Sequence, residues 1–301
     1  MRNPLAGMYA ALMTAFNDEG EYDVDRQKAL NAYVLRQGLQ GLYVGGSSGE
    51  SGLLSTEELL EQQVNVAESA QGTDATLIAH VGAPSLRDSI KLAKQAQRLG
   101  YHGLSALPPH AYPFSDGELI AYYRDLAAAT DLPLIVYEVP VRTGRPIPLE
   151  TLETILDLPN VAGIKFTSTD LFKFSLLRRH RPSHLYFFGF DEIYLAGAAL
   201  GADGGIGTTY NILGQLYGAL DKAVRLGDLP RAQNLQRVSQ TFVETLAEVG
   251  VLPGMKSALR VAGIECGSTR LPMASRDSAM DQRIAALMEQ PDIAQWILPA
   301  P

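Results

Sequence analysis

The chain has 301 residues, of which 46% are hydrophobic and 19% are charged, enough for one large globular core. Its net charge of −8 repels phosphate backbones and anionic bilayers, which makes nucleic acid and membranes poor partners. The single cysteine, Cys266, rules out an intrachain disulfide and fits a reducing compartment. Residues 1–16 lack the pattern of a signal peptide, and no apolar run reaches the roughly 18 residues of a membrane span. The composition therefore predicts a cytoplasmic, enzyme-sized domain.

Short apolar runs alternate with amphipathic, helical patterns along the chain. The runs predict strands at Met8–Phe16, Leu39–Val44, Thr76–Val81, Gly103–Leu107, Leu134–Val139, Val161–Phe166, Leu185–Phe188 and Gly204–Thr208. Helical patterns lie between them at Thr56–Ser69, Leu86–Leu99, Asp116–Ala129 and Ile193–Leu200. Because continuous apolar runs are typical of parallel strands buried on both faces, this order predicts a (β/α)8 barrel at residues 1–210. Residues 211–301 have helical patterns without a further strand, so we expect a C-terminal helical part packed on the barrel in the same structural unit.

A repeated G-x-x-G motif supports the cyclic architecture. It occurs at Gly38–Gly41, Gly100–Gly103 and Gly201–Gly204, each time after a helical pattern and before a strand. The first glycine suits a left-handed helix C-cap, and the second suits a tight turn into the returning strand.

One lysine interrupts an apolar strand. Lys165 lies near the carboxyl end of the sixth strand, at the end where (β/α)8 barrels carry their chemistry. A lysine that faces the barrel loses solvation, which favours the neutral amine needed to attack a carbonyl group. The alternative is a lysine that extends past the strand end to pair with a carboxylate.

A glycine- and serine-rich loop, Gly45–Ser51, follows the second strand. Converging backbone amides and the hydroxyls of Ser47 and Ser48 would form a small anion site for a carboxylate or a phosphate. The loop also matches G-x-S-x-G, the nucleophile turn of serine hydrolases, although no histidine stands in a convincing loop after a late strand. A purely structural glycine turn is the third alternative.

Further candidate groups stand at the ends of strands five, seven and eight. Tyr137 is a candidate for proton transfer, or else packs with its hydroxyl hydrogen-bonded. Asp191 and Glu192 would bind the hydroxyls of a polyol, although Asp191 is equally a candidate N-cap for the next helix. The segment Gly204–Asn211 is rich in glycine and leaves room for a ligand against the backbone.

Metal chemistry is not expected. The histidines are scattered, and the acidic residues do not cluster with them. His180 and His184 are four residues apart, but Pro182 breaks the helix that would align them. The chain also lacks a dinucleotide-binding fingerprint and a Walker loop.

Taken together, Gly45–Glu50, Tyr137, Lys165, Gly189–Glu192 and Gly204–Asn211 resemble the N-acetylneuraminate lyase / dihydrodipicolinate synthase family. The resemblance runs from about Leu5 to past Met255, and within the family it favours the N-acetylneuraminate lyase branch. It implies a (β/α)8 barrel with a helical C-terminal extension, a homotetramer, and no metal or organic cofactor.

The resemblance also implies a role for each matching residue. Lys165 would form the Schiff base with pyruvate or the parent 2-oxo acid, Ser47 and Ser48 would hold its carboxylate, and Tyr137 would relay a proton. The sugar-derived part of the substrate would contact Thr167, Gly189, Asp191, Glu192 and Thr208.

Several residues depart from the family pattern. Ser48 stands where threonine is usual, Thr208 where serine is, and Glu138 where asparagine is common. Ala111 stands where the family commonly supplies a tyrosine to the proton relay of the neighbouring subunit, and we hypothesise that His110 or Tyr112 substitutes for it. Arg142 matches the synthase branch, where it binds a second carboxylate.

The sequence therefore predicts a class I aldolase that cleaves a hydroxylated 2-oxo acid to pyruvate and an aldehyde, with N-acetylneuraminate as the favoured substrate and N-acetylmannosamine as the aldehyde. Alternatives within the family are a dihydrodipicolinate synthase-like enzyme and a 2-keto-3-deoxy sugar acid aldolase or dehydratase. More distant alternatives are a serine hydrolase and a non-catalytic 2-oxo acid binding protein.

Overall fold

A computed structural model describes residues 3–273 and 277–300. Eight parallel strands pair in chain order, and the eighth pairs with the first, so the sheet is a closed barrel. The strands are β1 (Met8–Ala11), β2 (Gly41–Val44), β3 (Thr76–His80), β4 (Gly103–Ala106), β5 (Leu134–Glu138), β6 (Val161–Phe166), β7 (Leu185–Phe188) and β8 (Gly204–Gly207). The predicted (β/α)8 architecture is confirmed.

Helices surround the barrel and continue beyond it. They are α1 (Val24–Leu35), α2 (Thr56–Ser69), α3 (Leu86–Arg98), α4 (Asp116–Ala127), α5 (Pro140–Thr143), α6 (Leu149–Leu156), α7 (Leu171–His180), α8 (Tyr194–Ala199), α9 (Tyr210–Arg225), α10 (Leu229–Val249), α11 (Val251–Val261), α12 (Ser278–Met288) and α13 (Pro291–Ala294). Ser55 and Ser115 are the N-cap residues of α2 and α4, and each forms a capping box, in which the serine side chain accepts from the backbone amide of a glutamate three residues later and the glutamate side chain accepts from the serine amide. Helix α9 packs against β1 and α8, and α10 packs on α9.

Most strands are shorter than the hydropathy pattern predicts. The prediction extended the first strand to Phe16, but pairing ends at Ala11, although Leu12 and Met13 are also completely buried. Hydropathy reports burial and not pairing, so a buried loop that continues a strand has the same pattern as the strand itself.

The G-x-x-G turns behave as predicted. Gly38 and Gly201 have φ angles of 72° and 94°, in the left-handed region that glycine tolerates best. The second glycine of the first motif, Gly41, lies so close to the carbonyl oxygen of Thr76 that a Cβ atom would collide with it. The motif therefore supplies both the helix end and the tight entry into the strand.

Side chains alternate between the inside of the barrel and the helix layer, with a period of two residues. The interior cluster contains aromatic and aliphatic residues such as Tyr9, Tyr43 and Phe187, while a larger cluster fills the layer between strands and helices. Polar groups thus reach the interior mainly at the carboxyl ends of the strands, where the candidate site lies.

Candidate active site

Lys165 occupies the carboxyl-terminal half of β6, in register with Tyr137 on β5. Its side chain is only 4% exposed, and its Nζ atom lies 4.1 Å from the ring centre of Tyr137 and 4.3 Å from that of Tyr43. Among the described residues no carboxylate lies within ion-pair distance of Nζ, so the alternative of a strand-end lysine paired with an acid is wrong.

Burial lowers the pKa of the Lys165 ammonium group. The interaction with Tyr137 opposes this shift, as does the charge of Asp191, whereas the cation of Arg142 adds to it. The net direction favours a neutral amine, which is the nucleophilic form.

Two of the residues around Lys165 were not predicted from the sequence. Tyr43 contributes the second ring over Nζ, and its hydroxyl donates to Ser105 at 3.0 Å. His80 ends β3 and packs edge-on against Tyr137, with ring centres 6.1 Å apart. Burial, followed by the nearby charge of Lys165, lowers the pKa of His80 to about 3, so its imidazole is neutral. The available signal was position, since both residues lie near the carboxyl end of a strand.

The loop after β2 forms two short 3-10 turns, Ser47–Gly49 and Ser51–Leu53. Ser47 and Ser48 line the same cavity as Lys165, and the Ser48 hydroxyl lies 2.6 Å from that of Thr208. The two serines therefore share a cavity with Lys165, and their role as a carboxylate site stays a prediction.

The serine-hydrolase alternative lacks its general base among the described residues. His80 is the histidine nearest to this loop along the strand ends, and both of its ring nitrogens are engaged. Nδ1 donates to the Gly45 carbonyl at 3.0 Å, and Nε2 accepts from the Leu107 amide at 3.3 Å. His80 therefore holds the loop backbone and does not activate Ser47.

Asp191 is buried after β7 and binds the residue that precedes α9. Its Oδ2 atom accepts from the Thr209 backbone amide at 2.8 Å and from the Thr209 hydroxyl at 2.6 Å. Burial raises the pKa of Asp191 to about 6, and the hydrogen bonds from Thr209 limit the increase. The alternative that Asp191 caps the following helix is wrong, because its carboxylate accepts no capping hydrogen bond there.

These groups surround a cavity of about 180 Å³. All ten predicted site residues line it, namely Ser47, Ser48, Tyr137, Arg142, Lys165, Thr167, Gly189, Asp191, Glu192 and Thr208. Gly189 is required by space, since a Cβ atom there would collide with the Thr167 hydroxyl and lie 3.3 Å from Cε of Lys165.

The segment around Ala111, where the family commonly has the relay tyrosine, does not line the cavity that contains Lys165. His110, Ala111 and Tyr112 line a separate cavity of about 390 Å³, and Tyr112 is 73% exposed. The hypothesis that His110 or Tyr112 supplies the relay hydroxyl stays a prediction.

In the described part of the chain, no three His, Cys, Asp or Glu side chains are grouped so that they could hold a metal ion. Within residues 3–273 and 277–300, every helix is too short or too polar to traverse a lipid bilayer.

The fold and the site together define a (β/α)8-barrel enzyme built around a desolvated lysine. Residues 4–291 match the dihydrodipicolinate synthetase family, and the chain belongs to that family.

Two relatives that are similar to this chain over most of its length are both N-acetylneuraminate lyases. The chain is 41% identical over 285 residues to an N-acetylneuraminate lyase of Rhizobium meliloti, covering 95% of this chain and 94% of the relative. It is 42% identical over 260 residues to an N-acetylneuraminate lyase of Enterobacter sp., covering 86% and 87%.

Solved structures extend the similarity to the whole fold. CdNal from Clostridium difficile, in complex with mannosamine, matches with a TM-score of 0.93 at 29% identity, over 97% of this chain and 99% of that one. N-acetylneuraminate lyase from Fusobacterium nucleatum matches with a TM-score of 0.91 at 29% identity, over 98% and 100%.

Proposed function

We propose that the protein cleaves N-acetylneuraminate reversibly to pyruvate and N-acetylmannosamine through a Schiff base on Lys165. The observation that carries the proposal is the buried lysine of lowered pKa, in a cavity shared with a serine loop and a tyrosine. The names of the two curated relatives support the choice of substrate.

In the first step the neutral amine of Lys165 attacks the C2 ketone of the open-chain substrate. Loss of water from the resulting carbinolamine gives a cationic iminium, which draws electrons from the neighbouring carbon–carbon bond. The aromatic rings of Tyr43 and Tyr137 beside Nζ suit this cation, because ring faces attract positive charge.

In the second step the bond between C3 and C4 breaks. The C4 hydroxyl proton leaves through Tyr137, C4 becomes the aldehyde carbon, and the electron pair of the broken bond forms the enamine. A proton returned to C3 restores the iminium, and water then releases pyruvate and regenerates the amine of Lys165. The loop with Ser47 and Ser48 holds the carboxylate throughout, which fixes C2 over the lysine.

The remaining cavity residues suit the hydroxylated part of the substrate. Asp191 and Glu192 offer carboxylate oxygens to hydroxyl donors, and the side chains of Thr167 and Thr208 also line the cavity. The Thr167 hydroxyl is buried and has no protein hydrogen-bond partner among the described residues, which leaves it available to a ligand.

Arg142 favours a second candidate function within the family. It is exposed at the cavity mouth, and no described carboxylate forms an ion pair with it. An unpaired guanidinium group suits an aldehyde partner that carries its own carboxylate, as in a synthase or a sugar acid aldolase. N-Acetylmannosamine has no such charge.

The test combines trapping with a substrate comparison. Borohydride reduction with pyruvate should add a reduced pyruvyl group to Lys165, detectable by peptide mass spectrometry, and Lys165→Met should abolish the adduct. An unmodified wild-type protein that is folded would contradict the Schiff-base mechanism.

Turnover then separates the two candidates. Release of pyruvate from N-acetylneuraminate, unchanged in Arg142→Leu, supports the lyase. Selective turnover of a 2-oxo acid with a distal carboxylate, lost in Arg142→Leu, supports the second candidate. The homotetramer and the cytoplasmic location stay predictions, and native mass spectrometry tests the first of them.

A further inference from the structure

A buried ion pair lies directly behind the serine loop. Glu50 ends the turn that contains Ser47 and Ser48, and Lys256 belongs to α11 in the C-terminal part of the chain. Their side chains are 0% and 1% exposed, and Oε1 of Glu50 lies 3.1 Å from Nζ of Lys256. The contact is an ion pair and not a well-aligned hydrogen bond.

Glu50 itself has an unfavourable backbone conformation, which its side-chain contacts hold in place. Its φ angle is 60°, in the left-handed region that residues other than glycine rarely occupy. Its backbone amide donates to the Ser47 carbonyl at 3.1 Å, and its Oε2 atom accepts from the Arg270 amide at 2.8 Å. The side chain thus ties the loop to the C-terminal segment and holds the turn in place.

The carboxylate of Glu50 would repel the carboxylate of a bound 2-oxo acid. The loop must attract the carboxylate of a 2-oxo acid, yet Glu50 places a fixed carboxylate one turn beyond Ser47. The charge of Arg270 also acts on Glu50, but its guanidinium nitrogens bind both oxygens of Glu58, at 2.6 and 2.9 Å, and nearby carbonyl groups, and do not contact the Glu50 carboxylate. Lys256 is the cation that contacts Glu50 among the described residues.

Further contacts hold the Lys256 side chain in this position. Its Nζ atom donates to the Ser268 carbonyl at 2.8 Å and lies 4.2 Å from the ring centre of Phe16. Burial lowers the pKa of the Lys256 ammonium group, and the charge of Glu50 opposes that shift. These contacts hold the Lys256 side chain beside Glu50, where its cation offsets the carboxylate.

We propose that Glu50 and Lys256 are positioning residues for the substrate-carboxylate loop. Glu50 fixes the backbone of the loop, and Lys256 cancels a negative charge that would otherwise repel the carboxylate of the 2-oxo acid. The inference rests on the proposed binding of that carboxylate at Ser47 and Ser48.

The experiment measures how much pyruvate half-saturates borohydride trapping on Lys165, by intact mass spectrometry at neutral pH. Lys256→Met leaves Glu50 buried without its cation, and should raise the half-saturating concentration about tenfold or more. Glu50→Gln/Lys256→Met removes both charges while keeping an acceptor for the Arg270 amide, and should return the concentration to within about threefold of wild type.

Arg260→Met is the matched control. Arg260 lies on the same helix and pairs with Glu265 and Asp281 instead of the serine loop. Its charge lowers the pKa of Lys256, so its loss favours the Lys256 cation and should not raise the half-saturating concentration. Circular dichroism and urea midpoints establish that each variant is folded.

Failure of the proposed function and failure of this inference give different results. Wild-type protein without an adduct refutes the proposed function, and the inference with it. Wild-type trapping with an unchanged half-saturating concentration in folded Lys256→Met refutes the inference alone. If Lys256→Met does not fold, Glu50→Gln decides, since a concentration equal to or below that of wild type supports charge compensation and a tenfold rise overturns it.

Discussion

The carboxylate of Asp191 is predicted to cost stability at neutral pH. Burial raises its pKa from 3.8 to about 6, so between these values the folded state holds a proton that the unfolded state has lost. Ionisation therefore destabilises the fold as pH rises through this window. A pKa difference of about two units corresponds to a loss of about 3 kcal/mol in the free energy of unfolding above pH 6. An asparagine keeps an oxygen for both hydrogen bonds from Thr209 without the charge. Asp191→Asn should raise the free energy of unfolding by up to about 3 kcal/mol at pH 7 and by almost nothing near pH 4.

Urea denaturation at several pH values measures this difference. Asp74→Asn, in an exposed loop, should show no such pH-dependent gain. A gain for Asp191→Asn that is equal at all pH values, or a loss at pH 7, would refute the reasoning. The same variant should still form the pyruvate adduct but cleave N-acetylneuraminate poorly, because an amide replaces one hydroxyl-binding oxygen with a donor.

Two further predictions concern backbone placement in the site. Gly189→Ala should abolish turnover, because its Cβ would collide with the Thr167 hydroxyl, and circular dichroism should show a folded protein with little trapped adduct. His80→Leu should lower the free energy of unfolding by about 1–3 kcal/mol for each backbone group left unpaired, at Gly45 and Leu107. Because the pKa of His80 is lowered from 6.5 to about 3, wild type should also lose stability as pH falls below about 6.5 through this group, and urea midpoints of His80→Leu should lack that slope.

The candidate site was predictable because a parallel barrel collects distant segments at one end. Lys165, Tyr137 and Asp191 each follow or end an apolar run, and closure of the barrel brings the carboxyl ends of all runs together. A prediction of strand order alone therefore places such residues in one cavity. The resemblance to a family then selected which polar residues belong to the site.

Other features have no local signal. Tyr43 lies within an apolar strand, where an aromatic residue has the same pattern as core packing, and only the barrel geometry puts its ring over Lys165. The pair of Glu50 and Lys256 joins residues on separate elements, far apart in the chain, and neither residue stands in a motif that names its partner. Contacts of this kind follow from how the C-terminal helices dock, which periodicity does not specify.

Glu138 and Arg142, two of the departures from the family pattern, face different surroundings. Glu138 follows Tyr137 on β5, and the period of two turns it outward, where its Oε1 atom lies 3.0 Å from Nζ of Lys173 and accepts from the Ile147 amide at 3.1 Å. It therefore contacts no substrate, but it ties residues 139–147 to the outer face of the barrel. That segment carries Arg142 into the cavity mouth. Glu138 thus lies at the start of the segment that contains Arg142, so we expect their effects to be coupled, and the two residues should be exchanged together when the aldehyde preference is tested.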